Sequence, residues 1–229
     1  MKKRDGVLAV WTDAEKAGTA DFNEWYNRQH LIERVGVPGF RSGARYAALS
    51  GAPRYFAWYE TREPAVLRSK AYRARLDAPT PWTRRSMRAF TNTIRSACSV
   101  AGRVQIDERL PLRGGVAATL RFAPRPGREA AVQRWMSGPL LKRLQRSPGV
   151  TGAQLWITDA VRSANDSREA GLRTPDAVAD WVLFLEGQDA GALRAALRRH
   201  ADGPRLRRQG VASGERLGLY RLLALTWKE

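Results

Sequence analysis

The sequence predicts an α+β fold of two tandem βαββαβ units, each an antiparallel sheet with helices on one face. Three observations predict it. Short apolar strand-like segments and amphipathic helical segments follow one another in the order β-α-β-β-α-β, and that order occurs twice in 229 residues. The two runs register at independent points. Trp25 and the turn Pro38-Gly39 fall on Trp135 and Pro148-Gly149 at a shift of 110, and Tyr55, Trp58 and Glu60 fall on Trp181, Phe184 and Glu186 at a shift of 126. Finally, 43% hydrophobic and 27% charged residues are ordinary values for a globular chain, which excludes collagen-like and disordered classes.

In the first unit, residues 7–12 read as a short apolar strand. Residues 20–34 have helical periodicity, with Thr19 or Asp21 as N-cap, and Val37-Pro38-Gly39 ends that helix. Residues 40–49 and 54–60 read as strands joined by the turn Ser50-Gly51-Ala52-Pro53. Residues 64–76 read as an irregular helix. Pro79-Thr80-Pro81 then breaks the chain, 82–89 adds a helical turn or two, and 91–103 closes the unit as a long strand. In the second unit the strands are expected at 115–122, 151–158, 176–186 and 216–227, with helices at 127–145 and 190–200 and a long polar hairpin at 159–175. This order is the ferredoxin-like split βαβ. The expected units are 1–110 and 111–229. One ferredoxin-like sheet leaves a face uncovered, so the two are expected to pack as an α+β barrel, with the space between the sheets a natural pocket.

The net charge is +18, from 40 Lys+Arg against 22 Asp+Glu. Such an excess invites a nucleic-acid reading, but residues 1–110 and 111–229 each hold 20 basic and 11 acidic residues, so it is spread evenly. Beyond Lys2-Lys3-Arg4 there is no basic tail, and no helix-turn-helix, zinc finger or RNP-type aromatic motif is present. A basic nucleic-acid module is therefore the weaker alternative. One cysteine, Cys98, excludes an intrachain disulfide and a cysteine-based zinc site, and the histidines are His30 and His200 alone. No metal and no organic cofactor is expected. The first apolar run, 7–11, is too short for a signal peptide, and no run approaches a membrane span. The expected location is the cytoplasm.

Chemistry-bearing residues concentrate in the first helix. Phe22, Trp25, Gln29 and Ile32 form one stripe, with Tyr26, His30 and Glu33 beside it. An amide and an imidazole among aromatics must find partners or face a cavity. His30 is either a core histidine or an acid/base at a pocket, since imidazole titrates near neutral pH. The second unit supplies a control: at the shift of 110, Tyr26 becomes Met136, Gln29 becomes Pro139, His30 becomes Leu140 and Arg45 becomes Leu155. The polar set is absent there while the Trp and Pro-Gly remain. The candidate catalytic residues are therefore His30, Tyr26 and Arg45, the last as an anion partner. Trp25, Gln29, Tyr46, Trp58 and Trp82 are candidates to line a substrate pocket.

The pattern Trp25-Tyr26-(x)3-His30-(x)3-Arg34-(x)3-Pro38-Gly39-Phe40-(x)4-Arg45-Tyr46, with Tyr55-Phe56-Ala57-Trp58-Tyr59-Glu60 and Ser69-Lys70-Ala71-Tyr72, resembles EthD-like proteins of the dimeric α+β barrel superfamily over roughly residues 7–103. Gln29 stands where that family commonly has Glu. The second half resembles the fold pattern only. The resemblance implies a ferredoxin-like barrel and a ligand cleft between helix and sheet; the sequence leaves open whether the barrel closes within one chain or between two, as in a homodimer. The superfamily includes cofactor-independent monooxygenases, isomerases, cyclases and lyases, and haem enzymes, whose axial-histidine motif has no local match here. The functional expectation is a cofactor-independent small-molecule enzyme performing proton-transfer chemistry on an aromatic or polyketide-like, anionic substrate. The alternative is a non-catalytic binding or stress-related protein of the same fold.

Overall fold

The computed structural model describes residues 4–107 and 112–228. The expected unit boundary at 110/111 lies outside the described residues. The elements, in chain order, are β1 (Gly6–Ala14), α1 (Thr19–Trp25), α2 (Leu31–Gly36), β2 (Phe40–Ser50), β3 (Tyr55–Thr61), α3 (Lys70–Asp77), α4 (Pro81–Met87), β4 (Phe90–Gln105), β5 (Val116–Phe122), α5 (Glu129–Trp135), α6 (Leu141–Gln145), β6 (Val150–Thr158), α7 (Ala160–Ser163), β7 (Trp181–Gly187), α8 (Ala190–His200), α9 (Gly203–Gln209) and β8 (Arg216–Trp227). A π-helical turn, Tyr26–His30, joins α1 to α2, and a second, Met136–Leu140, joins α5 to α6.

The eight strands close one antiparallel barrel in the order β1-β3-β2-β8-β5-β7-β6-β4. Strands of the first half run β4-β1-β3-β2, and those of the second run β8-β5-β7-β6. The seams are β2 on β8, where Arg45 pairs with Ala224, and β4 on β6, where Arg103 pairs with Gln154. The length of β4 follows from this double duty: its first part, Phe90 to Ser99, pairs with β1, and its second, Cys98 to Gln105, pairs with β6. Closure leaves no open sheet edge within the barrel.

Local chemistry sets the helix ends. Ser69, Thr80, Asp189 and Asp202 cap α3, α4, α8 and α9 by accepting backbone N–H groups three residues on. Gly18 is the N-cap of α1 and Thr19 Oγ1 donates back to Glu15 O, so neither expected cap, Thr19 or Asp21, serves the helix. Asp21 accepts instead from Trp82, Arg85 and Ser86 and ties α1 to α4. Gly39 and Gly149 follow α2 and α6 at φ of +92° and +75°, a left-handed conformation in which a Cβ would meet Val66 or Ala192 at 2.7 Å. The strand expected at 176–186 begins only at Trp181, because 164–180 crosses to the first half of the barrel.

Alternation along each strand separates two kinds of core. Ala9, Trp11, Tyr46, Phe56, Trp58, Trp156, Phe184 and Tyr220 point into the barrel and fill it with aromatic rings; Trp156 and Phe184 stack at 4.5 Å. The space between the sheets is thus packed, against the expectation of a pocket there, because large aromatics from both halves interdigitate. The outward residues meet the helices. In the second half these are mainly Leu, Val, Ala and Met around Leu140, Leu144 and Leu183, with Phe122 and Trp181. In the first, aromatic residues are far more numerous, around Phe22, Trp25, Tyr26, Tyr59 and Tyr72, among Leu, Val and Ala.

Candidate functional site

The helix from α1 to α2 lies on the outer face of β1–β3, and its π turn carries Tyr26 and His30 inward. Such turns often mark functional positions. Trp25 backs the imidazole, with ring centroids 4.2 Å apart, and the Tyr26 ring meets it edge-on at 4.9 Å. In front of His30 is a small cavity of about 30 Å³, room for a water or two. Its wall includes Tyr26, His30, Arg34, Tyr59, Arg95 and Glu169. Among the described residues eight buried side-chain polar atoms lack a hydrogen-bond partner. Three of them, His30 Nδ1, Arg34 Nη1 and Tyr59 Oη, belong to residues of this one cavity. Buried polar groups are seldom left unpaired, and a cavity of this size admits one or two waters that could bridge all three.

The electrostatics are one-sided. His30 is 6% exposed. Burial, then the positive charges of Arg34, Arg173 and Arg45, hold its pKa well below the ordinary 6.5. At neutral pH the imidazole is uncharged, and its Nδ1 has no hydrogen-bond partner. Burial raises the Tyr59 and Tyr26 phenols, which therefore stay protonated as donors. Burial opposes the charge of Arg34, but Glu169, in direct ion-pair contact, prevails and raises its pKa.

Glu169 comes from the long segment between β6 and β7. That segment crosses to the first half and is pinned there at several points. Ala97 N donates to Ser163 Oγ at 2.9 Å, Arg168 N to Asp77 Oδ1 at 3.0 Å, and Glu169 N to Leu76 O at 3.1 Å. Arg173 from the same segment packs over Phe90 and pairs with Asp176. The polar hairpin thus closes the cavity that the first helix opens.

The structure brings together some of the expected site residues and separates others. Tyr26 and His30 line the cavity, with Trp25 behind them. Arg45 does not line it. Its guanidinium lies over the Tyr26 ring at 4.6 Å and donates to Asn23 O, Asn23 Oδ1 and Asn27 Oδ1, so it braces α1. Gln29 faces α4, donating to Thr80 and Thr83 at 2.7 and 3.1 Å. Trp82 donates to Asp21 at the start of the helix. Tyr46 and Trp58 lie inside the barrel, where Trp58 Nε1 donates to Tyr46 Oη at 3.3 Å and Tyr46 Oη to Glu186 at 3.4 Å. They are on the opposite sheet face from His30. Strand β3 is buried on both faces, so its sequence shows no polar alternation to reveal which residue points where.

Sequence reasoning did not place Arg34, Tyr59, Arg95, Glu169 or Arg173 in a site. Arg34 was findable: it follows His30 by four residues, and its partner at the shift of 110 is Leu144. Tyr59 shares parity with Tyr55 and Ala57. Nothing local indicated that Glu169 and Arg173 would cross to the first half.

Among the described residues no group of three or more His, Cys, Asp or Glu could hold a metal ion, and no helix is long and apolar enough to cross a membrane.

No family profile matches the sequence, and no curated protein matches it. Solved structures do. An anthrone oxidase-like protein superposes with a TM-score of 0.66 at 14% identity, over 98% of this chain and 93% of its own. A candidate monooxygenase from Lactobacillus acidophilus NCFM gives 0.62 at 5% identity, over 98% and 97%. Another from Fusobacterium nucleatum gives 0.59 at 10%, over 100% and 96%. These are α+β barrel proteins, and the chain shares that fold over its whole length.

Proposed function

We propose that the protein is an EthD-like, cofactor-independent enzyme of 1–110 and 111–229 units that moves a proton on an aromatic or polyketide-like small molecule. The site is the water-sized cavity between the first helix and β1–β3, where the reacting atoms sit once the surrounding side chains move apart to admit the ring. The observation that carries this reading is the meeting of a neutral, unpartnered imidazole nitrogen with two further unpartnered donors, on Arg34 and Tyr59. His30 is the general base. Tyr59 and Tyr26, kept protonated by burial, donate to the oxygen on which negative charge develops as the proton leaves. Isomerisation, cyclisation and elimination all begin with this step. Gln29 and Arg45 position the helix that carries it. Trp25 and Trp82 support that helix from behind, while Tyr46 and Trp58 stiffen the sheet from within the barrel.

The names of the neighbours favour a second outcome of the same step. An enolate or phenolate formed at His30 can reduce dioxygen, and anthrone-type compounds are the substrate class suggested by one neighbour. Both outcomes are tested with an anthrone. Under nitrogen, the protein is expected to accelerate exchange of the ring methylene hydrogens with deuterium oxide, and His30→Gln to slow it about 10²–10⁴-fold. Oxygen uptake on admitting air distinguishes the oxygenase outcome. Exchange unaffected by His30→Gln removes the catalytic reading and leaves the non-catalytic binding protein. Because the barrel closes within one chain, a homodimer joins two finished barrels; light scattering tests it. A cytoplasmic location accompanies this reading.

A further inference from the structure

Around the cavity stand three arginines and one carboxylate, Glu169. Two of the arginines have counter-ions: Arg34 has Glu169, and Arg173 has Asp176. Arg95 has none among the described residues. It is 4% exposed, yet its guanidinium donates only to neutral acceptors, Ser163 O at 3.1 Å and Tyr72 Oη at 3.3 Å. A buried cation without a counter-ion is costly, and natural proteins usually pair it.

The position of Arg95 suggests what completes it. With Tyr72 and Leu76 it forms the shared wall between the cavity at His30 and a larger outer cleft of about 180 Å³. That cleft opens between α3 and the crossing segment and is lined also by Arg68, by Arg73 and by Asp166; Arg73 is ion-paired with Asp166 and Asp77, so its charge is already met. Arg95 therefore stands between the solvent-facing cleft and the cavity at the imidazole. The unpartnered Nη1 of Arg34 lies on the inner side of the same wall.

We propose that Arg95 is the anion-recognising residue of the site, that its ligand is a small aromatic carboxylate, and that this ligand is held in the outer cleft. The inference rests on the reading of the His30 cavity as a ligand site. A carboxylate matches the fork of a guanidinium with two parallel charge-assisted hydrogen bonds, which a neutral carbonyl and a phenol do not supply. The anionic group anchors at Arg95 with the ring in the outer cleft, which has the room that the inner cavity lacks. This gives to Arg95 the role that the sequence suggested for Arg45.

The test is binding of 1-hydroxy-2-naphthoate against its neutral amide, 1-hydroxy-2-naphthamide, followed by tryptophan fluorescence and calorimetry. Native protein is expected to prefer the carboxylate by on the order of tenfold or more. Arg95→Gln is expected to bring the ratio near one, with amide affinity retained. Arg95 also anchors the crossing segment, but loosening that segment would weaken both probes alike, so the ratio separates recognition from support. Should Arg95→Gln fail to fold, Arg95→Lys decides: it keeps the charge, loses the fork, and is expected to reduce the ratio several-fold. Equal binding of the two probes by native protein overturns the proposal, as does a preference undiminished in a folded Arg95 variant. Binding of neither probe overturns both the subsite and the ligand-site reading. A carboxylate preference that depends on Arg95, together with anthrone exchange indifferent to His30, keeps the subsite and removes only the proton-transfer function.

Discussion

The two helix-on-sheet layers of the barrel share a backbone and differ in what they bury. Each has a π turn after a Trp and before the last helical turn: Tyr26–His30 in the first half and Met136–Leu140 in the second. In the second half this turn brings Met136 and Leu140 onto an aliphatic sheet face, and Leu144 completes the packing. In the first it brings Tyr26 and His30 onto a sheet of tyrosines, and Arg34 stands where Leu144 does. The π turn is thus a property of the fold and the polar cavity is an addition to it. A layer that packs with Met136, Leu140 and Leu144 shows that the fold does not demand Tyr26, His30 and Arg34; in the first half Arg34 also holds the crossing segment through Glu169.

Substitutions that carry the first layer toward the second sharpen this comparison. The largest effect is expected at the buried pair. Glu169→Leu leaves Arg34 charged without a counter-ion and is expected to cost about 3–5 kcal/mol in urea unfolding, whereas the double variant Arg34→Leu/Glu169→Leu recovers most of that loss. If the double variant is as unstable as the single one, the cavity contributes more to the fold than the second half suggests.

Next comes His30→Leu, which installs the residue found at position 140. Removing a buried imidazole with an unpartnered nitrogen is expected to raise stability by about 1–3 kcal/mol while abolishing catalysed exchange. Its pH signature has a definite sign. The folded pKa of His30 lies below the unfolded 6.5, so as pH falls below 6.5 the unfolded state takes up a proton that the folded state refuses. Native stability therefore carries a His30 contribution that declines below pH 6.5, by at most about 1.4 kcal/mol per pH unit, and His30→Leu is expected to remove that slope. Parallel stability curves for the two proteins between pH 6.5 and 5 would contradict the buried neutral imidazole.

The smallest effect is expected at Gln29. Gln29→Ala deletes its two hydrogen bonds to α4 and is expected to cost about 1 kcal/mol by thermal melting, with exchange activity nearly kept. A large activity loss would place Gln29 in the chemistry and not merely in the brace between α1 and α4.

Much of the fold was legible in sequence because its signals are local and repeated. The Pro-Gly turns at Gly39 and Gly149, the Trp positions 25 and 135, and the spacing of apolar runs depend on backbone conformation and period, which neighbouring residues determine. The bounds of β8 and α8 were read directly. The expectation for β7 began too early, because residues that look like a strand extension left the sheet to serve the other half.

The candidate site was legible only in part, for the same physical reason. His30 and Tyr26 share one helix face, and helical spacing is visible in sequence. Which side of the sheet Tyr46, Trp58 and Tyr59 occupy is a matter of parity, and parity is hidden in a strand buried on both faces. By itself the sequence determined the element order, the αβ layering and the polar helix that has no counterpart in the second half. The tertiary structure alone decided that the barrel interior is full, that Arg45 braces a helix while Arg95 stands at the cavity, and that Glu169 arrives from 135 residues beyond Arg34 to pair with it beside His30. Contacts between residues so distant in the chain form when two layers close over each other, and no local preference records them.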